Sequence, residues 1–171
     1  MESVITYSTM PRTMNRMFKN SKGLNGDLNM FYYNTLGKLE EAEECFMNSD
    51  YTNLEVITGP SLRKAARMYK GSTITSTNLQ IINSQNIDMT ECFADTIMDV
   101  DILFFKHQDD YSVNLTNAFN NCTQLTHLPK VSYNSKNYNL WEIEGIIGTG
   151  CFKGCTKLLE QYGDIIPDGW K

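Results

Sequence analysis

Hydrophobic positions in this chain recur with a long period. Six aromatic residues each follow a Met, Cys or Ala: Met17-Phe18, Cys45-Phe46, Met68-Tyr69, Cys92-Phe93, Ala118-Phe119 and Cys151-Phe152. The aromatics are spaced by 28, 23, 24, 26 and 33 residues, within the range of repeats whose stacked copies share a core. Four residues before each aromatic stands an apolar or small residue: Met14, Ala42, Ala65, Met89, Leu115 and Gly148. Three residues after it stands a small hydroxyl or thiol residue: Ser21, Ser49, Ser72, Thr96, Cys122 and Cys155. An apolar residue follows, as Leu24, Leu54, Ile74, either Ile97 or Val100, Leu125 and Leu158.

Each unit divides into two expected elements. Leu39, Ala42, Cys45 and Phe46 have the spacing of one helix face, as do Leu115, Ala118 and Phe119. Ser61 reads as the N-cap of a helix running to Tyr69. Short apolar runs at 54–57, 79–82, 100–104 and 125–128 read as strands. Gly59-Pro60, Asn83-Ser84 and Pro129 mark the turns that follow. One strand and one short helix cannot bury an apolar side alone, but stacked units can. The expected fold is an α/β repeat of about six strand-plus-short-helix units in one domain covering 1–171.

Within that domain the repeats span 13–160. Segment 1–12 serves as an N-terminal cap through Val4, Ile5 and Tyr7, and 161–171 as a C-terminal cap through Ile165, Ile166, Pro167 and Trp170. Segment 132–148 makes the sixth unit long. Its Tyr133, Tyr138 and Trp141 sit among Asn and Ser, which suits an exposed loop with interface anchors. The reading preferred over that loop is that Trp141 and Ile143 form the unit's extra strand and pack inward.

Composition narrows the function classes. The hydrophobic share of 41% and charged share of 20% are ordinary for a folded domain. The net charge of −5 and the scatter of Lys and Arg give no basic face for nucleic acid. Arg63, Lys64 and Arg67 form the densest basic group and read as a solvated helix face, as do Glu40, Glu41, Glu43 and Glu44. No apolar run is long enough for a signal peptide or a membrane span. A protein with its own secretion signal or a membrane insertion is therefore not expected.

The chain has five cysteines, and every one falls in a repeat column. Cys45, Cys92 and Cys151 precede aromatics in alternate units, whereas Cys122 and Cys155 share a column in adjacent units. Buried structural thiols are the expected reading, with a Cys122–Cys155 disulfide as the alternative. A zinc site needs ligands converging on one point, so no metal is expected.

The segments 114–129 and 148–158 resemble BspA-like leucine-rich repeats. Ala118-Phe119, Cys122, Leu125, Leu128 and Pro129 carry the likeness, as do Cys151-Phe152, Cys155 and Leu158. The resemblance implies a right-handed leucine-rich-repeat solenoid, a role in protein binding or adhesion, and no catalytic residues. The missing export signal and the Asn-rich composition suggest a bacteriophage virion component, in the capsid, a fibre or the tail, that mediates assembly or host contact. The alternative is a bacterial surface adhesin or receptor-binding module for a host protein or glycan, at the cell surface or in the cytoplasm.

No enzyme and no cofactor are expected. His107 near Asp109 and Asp110 reads as turn chemistry. Register on the strand face makes Glu55, Gln80, Asp101, Thr126 and His127 candidate partner contacts, with Tyr138 and Trp141 as docking points. Asn114-Leu-Thr116 and Asn121-Cys-Thr123 match the glycosylation sequon, a motif short enough to arise by chance in an Asn-rich chain.

Overall fold

A computed structural model describes residues 12–23, 39–50, 56–58, 61–73, 78–83, 86–106 and 110–171. The strands are β1 (Val56–Thr58), β2 (Asn78–Asn83), β3 (Ile87–Asp88), β4 (Asp101–Lys106), β5 (Val113–Asn114), β6 (Lys130–Tyr133), β7 (Lys136–Asn139) and β8 (Ile146–Ile147). They form a five-stranded sheet in the order β1-β2-β4-β6-β7 and a three-stranded sheet in the order β3-β5-β8. The larger sheet is parallel except for β7, which returns antiparallel on β6. The smaller is parallel, and isolated parallel bridges carry its line back through Lys64 and Glu41 to Thr13.

The expected fold of strand-plus-short-helix units, a leucine-rich-repeat solenoid, does not form. Among the described residues the single α-helix is α1 (Thr156–Tyr162), with two 3-10 turns at Leu140–Glu142 and Asp168–Trp170. The segments expected as helices, around Phe46, Tyr69 and Phe119, are chains of tight turns. Their hydrogen bonds show why. Within a segment, Cys45 N–H donates to the Ala42 carbonyl at 3.3 Å and Ser49 N–H to that of Phe46 at 3.1 Å, a three-residue step. Alternate N–H groups instead point sideways. Met14, Arg16, Phe18 and Asn20 donate to the carbonyls of Glu41, Glu43, Cys45 and Met47 at 2.8–2.9 Å. The same ladder repeats from Ala42, Glu44, Phe46 and Asn48 to the segment at Tyr69, and onward to Phe152.

This backbone needs left-handed residues two places either side of each aromatic. Arg16 and Asn20, Glu44 and Asn48, Arg67 and Gly71, Glu91 and Asp95, Asn117 and Asn121, and Gly150 and Gly154 all have φ between 53° and 75°. Left-handed backbone costs a non-glycine residue about 1–2 kcal/mol. The ladder offsets that cost by satisfying groups that burial would otherwise leave unpaired. At Gly154 the missing side chain has a second use, because an added Cβ would collide with Asn121 Oδ1.

The turn segments stack their aromatics into one column. Phe18, Phe46, Tyr69, Phe93, Phe119 and Phe152 lie with successive centroids 5.2–5.9 Å apart and interplanar angles of 2–12°. That spacing is close to the ~4.8 Å between neighbouring chains in a sheet. Trp170 adds a seventh ring at 6.1 Å from Phe152. Gly150 and Phe152 N–H groups donate to the carbonyls of Gly169 and Trp170 at 2.8 and 2.7 Å. The chain end thus covers the last turn segment.

Gly148 stands where the other segments place Met14, Ala42, Ala65, Met89 or Leu115, all buried. A Cβ there would run into the Trp170 ring, so the indole occupies the space of the missing side chain. After the fourth aromatic the buried apolar residues are Met98 and Val100, while Ile97 is exposed. The run at 125–128 is not a strand. The chain bends there and enters β6 at Lys130.

Segment 132–148 is not an exposed loop. β6 and β7 form a hairpin whose two loop residues, Asn134 and Ser135, have φ of 48° and 61°. Positive φ at both positions belongs to a type I′ turn. Tyr138, Trp141 and Ile143 then pack partly buried against the core.

Candidate functional site

Strand β4 has one face in the core and one face outside. Ile102 and Phe104 are buried, whereas Asp101 is exposed and Leu103 and Phe105 are half-buried. The strand register gives their neighbours. Leu103 pairs with Gln80 on β2 and Lys130 on β6, and Phe105 pairs with Ile82 and Ser132. The Lys130 ammonium donates to the Asn139 side-chain oxygen on β7.

At the start of β4 a polar cluster borders this face. Asp99 Oδ1 accepts bonds from Thr126 N–H at 2.7 Å and Thr126 Oγ1 at 2.8 Å. His127 Nδ1 lies 3.1 Å from the same oxygen, and its Nε2 is 4.0 Å from Asp101 Oδ1. Partial burial pushes the Asp99 carboxyl up, but the bonds from Thr126 and His127 outweigh it and hold it below the usual range. His127 is thereby oriented between two carboxylates. A catalytic base would need a nucleophile on its free nitrogen, and the neighbour given to Nε2 is the Asp101 carboxylate.

Of the residues marked from the sequence, Asp101, Thr126 and His127 come together here. Gln80 sits beside Leu103 in the register. Thr126 and His127 lie on the bend before β6, held by Asp99, rather than mid-strand as expected. Glu55 and His107 fall outside the described residues. Tyr138 opposes Val131 on the core-facing side of β7. Trp141 meets Trp170 edge-on at 6.0 Å and 68°. These two rings are placed by packing, away from the outer row.

Sequence reasoning missed a second cluster. Glu44 is 7% exposed and far from a solvated face. Its carboxylate accepts from Arg16 at 2.8 Å, Lys19 at 2.8 Å and Arg67 at 3.0 Å. The Lys19 hydrogen bond, joined by those of Arg67 and Arg16, outweighs burial and lowers the carboxyl to about 2. Asn15, Arg16, Glu43, Glu44 and Arg67 line a cleft of about 400 Å³ here. Arg63 likewise pairs with Glu40 and Glu41, and Lys64 with Glu41. Opposite charges at one repeat position in neighbouring segments were the available signal: Arg12–Glu40–Arg63 and Arg16–Glu44–Arg67.

The five cysteines are all buried free thiols. Burial pushes the Cys45 thiol up to about 12, and raises those of Cys92 and Cys151 as well. Among the described residues no group of His, Cys, Asp or Glu is arranged to hold a metal ion. No helix among them is long and apolar enough to cross a membrane.

No protein-family model, curated protein or solved structure matches this chain. The likeness to BspA-like repeats therefore brings no relative's activity with it.

Proposed function

We propose that this chain is a non-catalytic binding component that docks a protein segment on the outer face of its five-stranded sheet. The observation that carries this reading is the half-buried pair Leu103 and Phe105, side by side with Asp101 and the Asp99–His127 cluster. An apolar row with a carboxylate border suits a partner that offers an apolar side chain flanked by Lys or Arg. The placement of Tyr138, Trp141 and Trp170 supports a protein partner over a glycan. Sugar binding favours aromatic rings standing free, and these pack on one another and on the core.

A place within a larger assembly, such as a phage particle, is part of the same proposal. Density-gradient fractionation of the native source, followed with an antibody to this chain, tests the setting. Co-migration with particles supports a virion part, and recovery in the soluble or cell-surface fraction removes it. Phe105→Ser and Asp101→Lys test the face. Each variant should keep its thermal transition and lose at least tenfold in partner retention. Undiminished retention by both would place the contact elsewhere.

A further inference from the structure

From Ser49 onward, the third residue after each aromatic forms a buried polar column with a change of partner along it. Ser49 and Ser72 hydroxyls donate to the carbonyl of the aromatic in their own segment, Phe46 at 2.8 Å and Tyr69 at 2.6 Å. The thiols reach back one segment instead. Cys122 Sγ donates to the Phe93 carbonyl at 3.1 Å, and Cys155 Sγ to that of Phe119 at 2.9 Å. Cys122 N–H donates to that same Phe119 carbonyl at 3.0 Å. The sulfur of Cys155 is thus held against the turn that carries Cys122.

We infer that Cys122 and Cys155 are a built-in disulfide pair, formed under oxidising conditions and selective among the five cysteines. The two turn segments are joined by backbone hydrogen bonds, Phe119 N–H to the Cys151 carbonyl at 2.9 Å and Asn121 N–H to that of Lys153 at 2.8 Å, the kind of pairing that sets neighbouring chains about 4.8 Å apart. Bridged cysteines have Cα atoms about 4.4–6.8 Å apart, so the bond closes without moving the backbone far. Cys45, Cys92 and Cys151 lie in alternate segments with Met68 and Ala118 between them, and have no adjacent cysteine in their own column. With hydrogen peroxide as oxidant, the two thiols lose their protons and two electrons to form the S–S bond, and the peroxide becomes two waters. With oxidised glutathione, one thiolate attacks its disulfide and releases one reduced glutathione, and the second thiolate attacks the resulting mixed disulfide and releases the other. Cys155 lowers the Cys122 thiol, while the interaction with Cys122 and burial raise that of Cys155. This ordering supplies one attacking thiolate at a time.

The bond would tie the fifth turn segment to the sixth and close the loop that contains the β6–β7 hairpin and Trp141. The feature is independent of the docking face.

The test is an equilibrium titration of the whole chain in glutathione redox buffers. It is approached both from reduced native protein and from protein refolded in the same buffer, until the two agree. Remaining thiols are alkylated, and the chain is digested and read by mass spectrometry. The expected result is one linked peptide joining Cys122 to Cys155, three alkylated cysteines, and a higher thermal midpoint in the oxidised form. Cys122→Ser places in the column the residue already found at 49 and 72, so it should fold and abolish the link. Cys92→Ser should leave the link intact. Five alkylated cysteines in the most oxidising buffer would overturn the proposal. So would a dominant link through Cys151.

Discussion

The indole of Trp170 lies over the ring of Phe152, with centroids 6.1 Å apart, and fills the space that Gly148 leaves open. Trp170→Ala uncovers the end of the aromatic column. It should cost about 2–3 kcal/mol, below the full range for a buried Trp because the ring is half-buried. Gly148→Ala should cost about 1–3 kcal/mol by driving a methyl group into the indole. In the Trp170→Ala background the same change should cost much less, since the clash is gone. Urea denaturation of the two singles and the double measures this. Additive costs would show that Gly148 and Trp170 are not coupled.

The inner rings of the column carry more. Phe119 is fully buried between Phe93 and Phe152. Phe119→Ala should cost about 3–5 kcal/mol, and Phe119→Leu less than half of that. A loss under 1 kcal/mol for the alanine variant in denaturant melts would contradict a closely packed column.

Left-handed backbone at the turn positions makes a residue-specific prediction. Asn121 has φ of 61° and an exposed bond to Asp95 at 3.0 Å. Asn121→Gly keeps the backbone relaxed and should stay within about 0.5 kcal/mol of the parent. Asn121→Val puts a β-branched residue in the left-handed region and should cost about 1–2 kcal/mol. Equal melting temperatures for the two variants would mean that the turn is not held as described.

Glu44 makes the fold acid-sensitive in a defined window. Its carboxyl is lowered from 4.5 to about 2 in the folded chain. The native state therefore holds this proton more weakly than the unfolded chain. Its contribution is complete above pH 4.5 and is lost as the pH falls from 4.5 towards 2. Glu44→Gln should cost roughly 1–3 kcal/mol at pH 7, because three charge-assisted bonds weaken. It should also flatten stability between pH 4.5 and 2. Parallel melts of parent and variant across that range read this directly. A variant as steep as its parent there would remove Glu44 as the cause.

Much of the core was legible in the residues. Met14, Ala42, Ala65, Met89, Leu115, Cys45, Cys92 and Cys151 are buried where their columns put them. The conformation between columns was not legible, and the reason is geometric. The column positions four before, one before, at and three after each aromatic match a helix face. A run of three-residue turns puts the same positions inward. Spacing alone does not separate the two, and the fold class read from it was wrong. The proposed docking face shows the same division. Asp101 was marked from strand register and is exposed on β4. Tyr138 and Trp141 were marked by composition and are packed against the core.

What the sequence by itself determined is which side chains share a column. Burial at a regular spacing is written in residue type, and the rings, thiols and hydroxyls need only the repeat to line up. What only the tertiary structure decided is where the backbone hydrogen bonds go. The N–H groups of Arg16, Glu44 and Arg67 find their carbonyls in a neighbouring segment 22 to 27 residues on, not four residues back. That choice turned expected helices into turns and drew Glu44 among three cations. In the same way, contact with Trp170 explains Gly148. Each of these depends on a partner distant in the chain, so no local pattern could specify it.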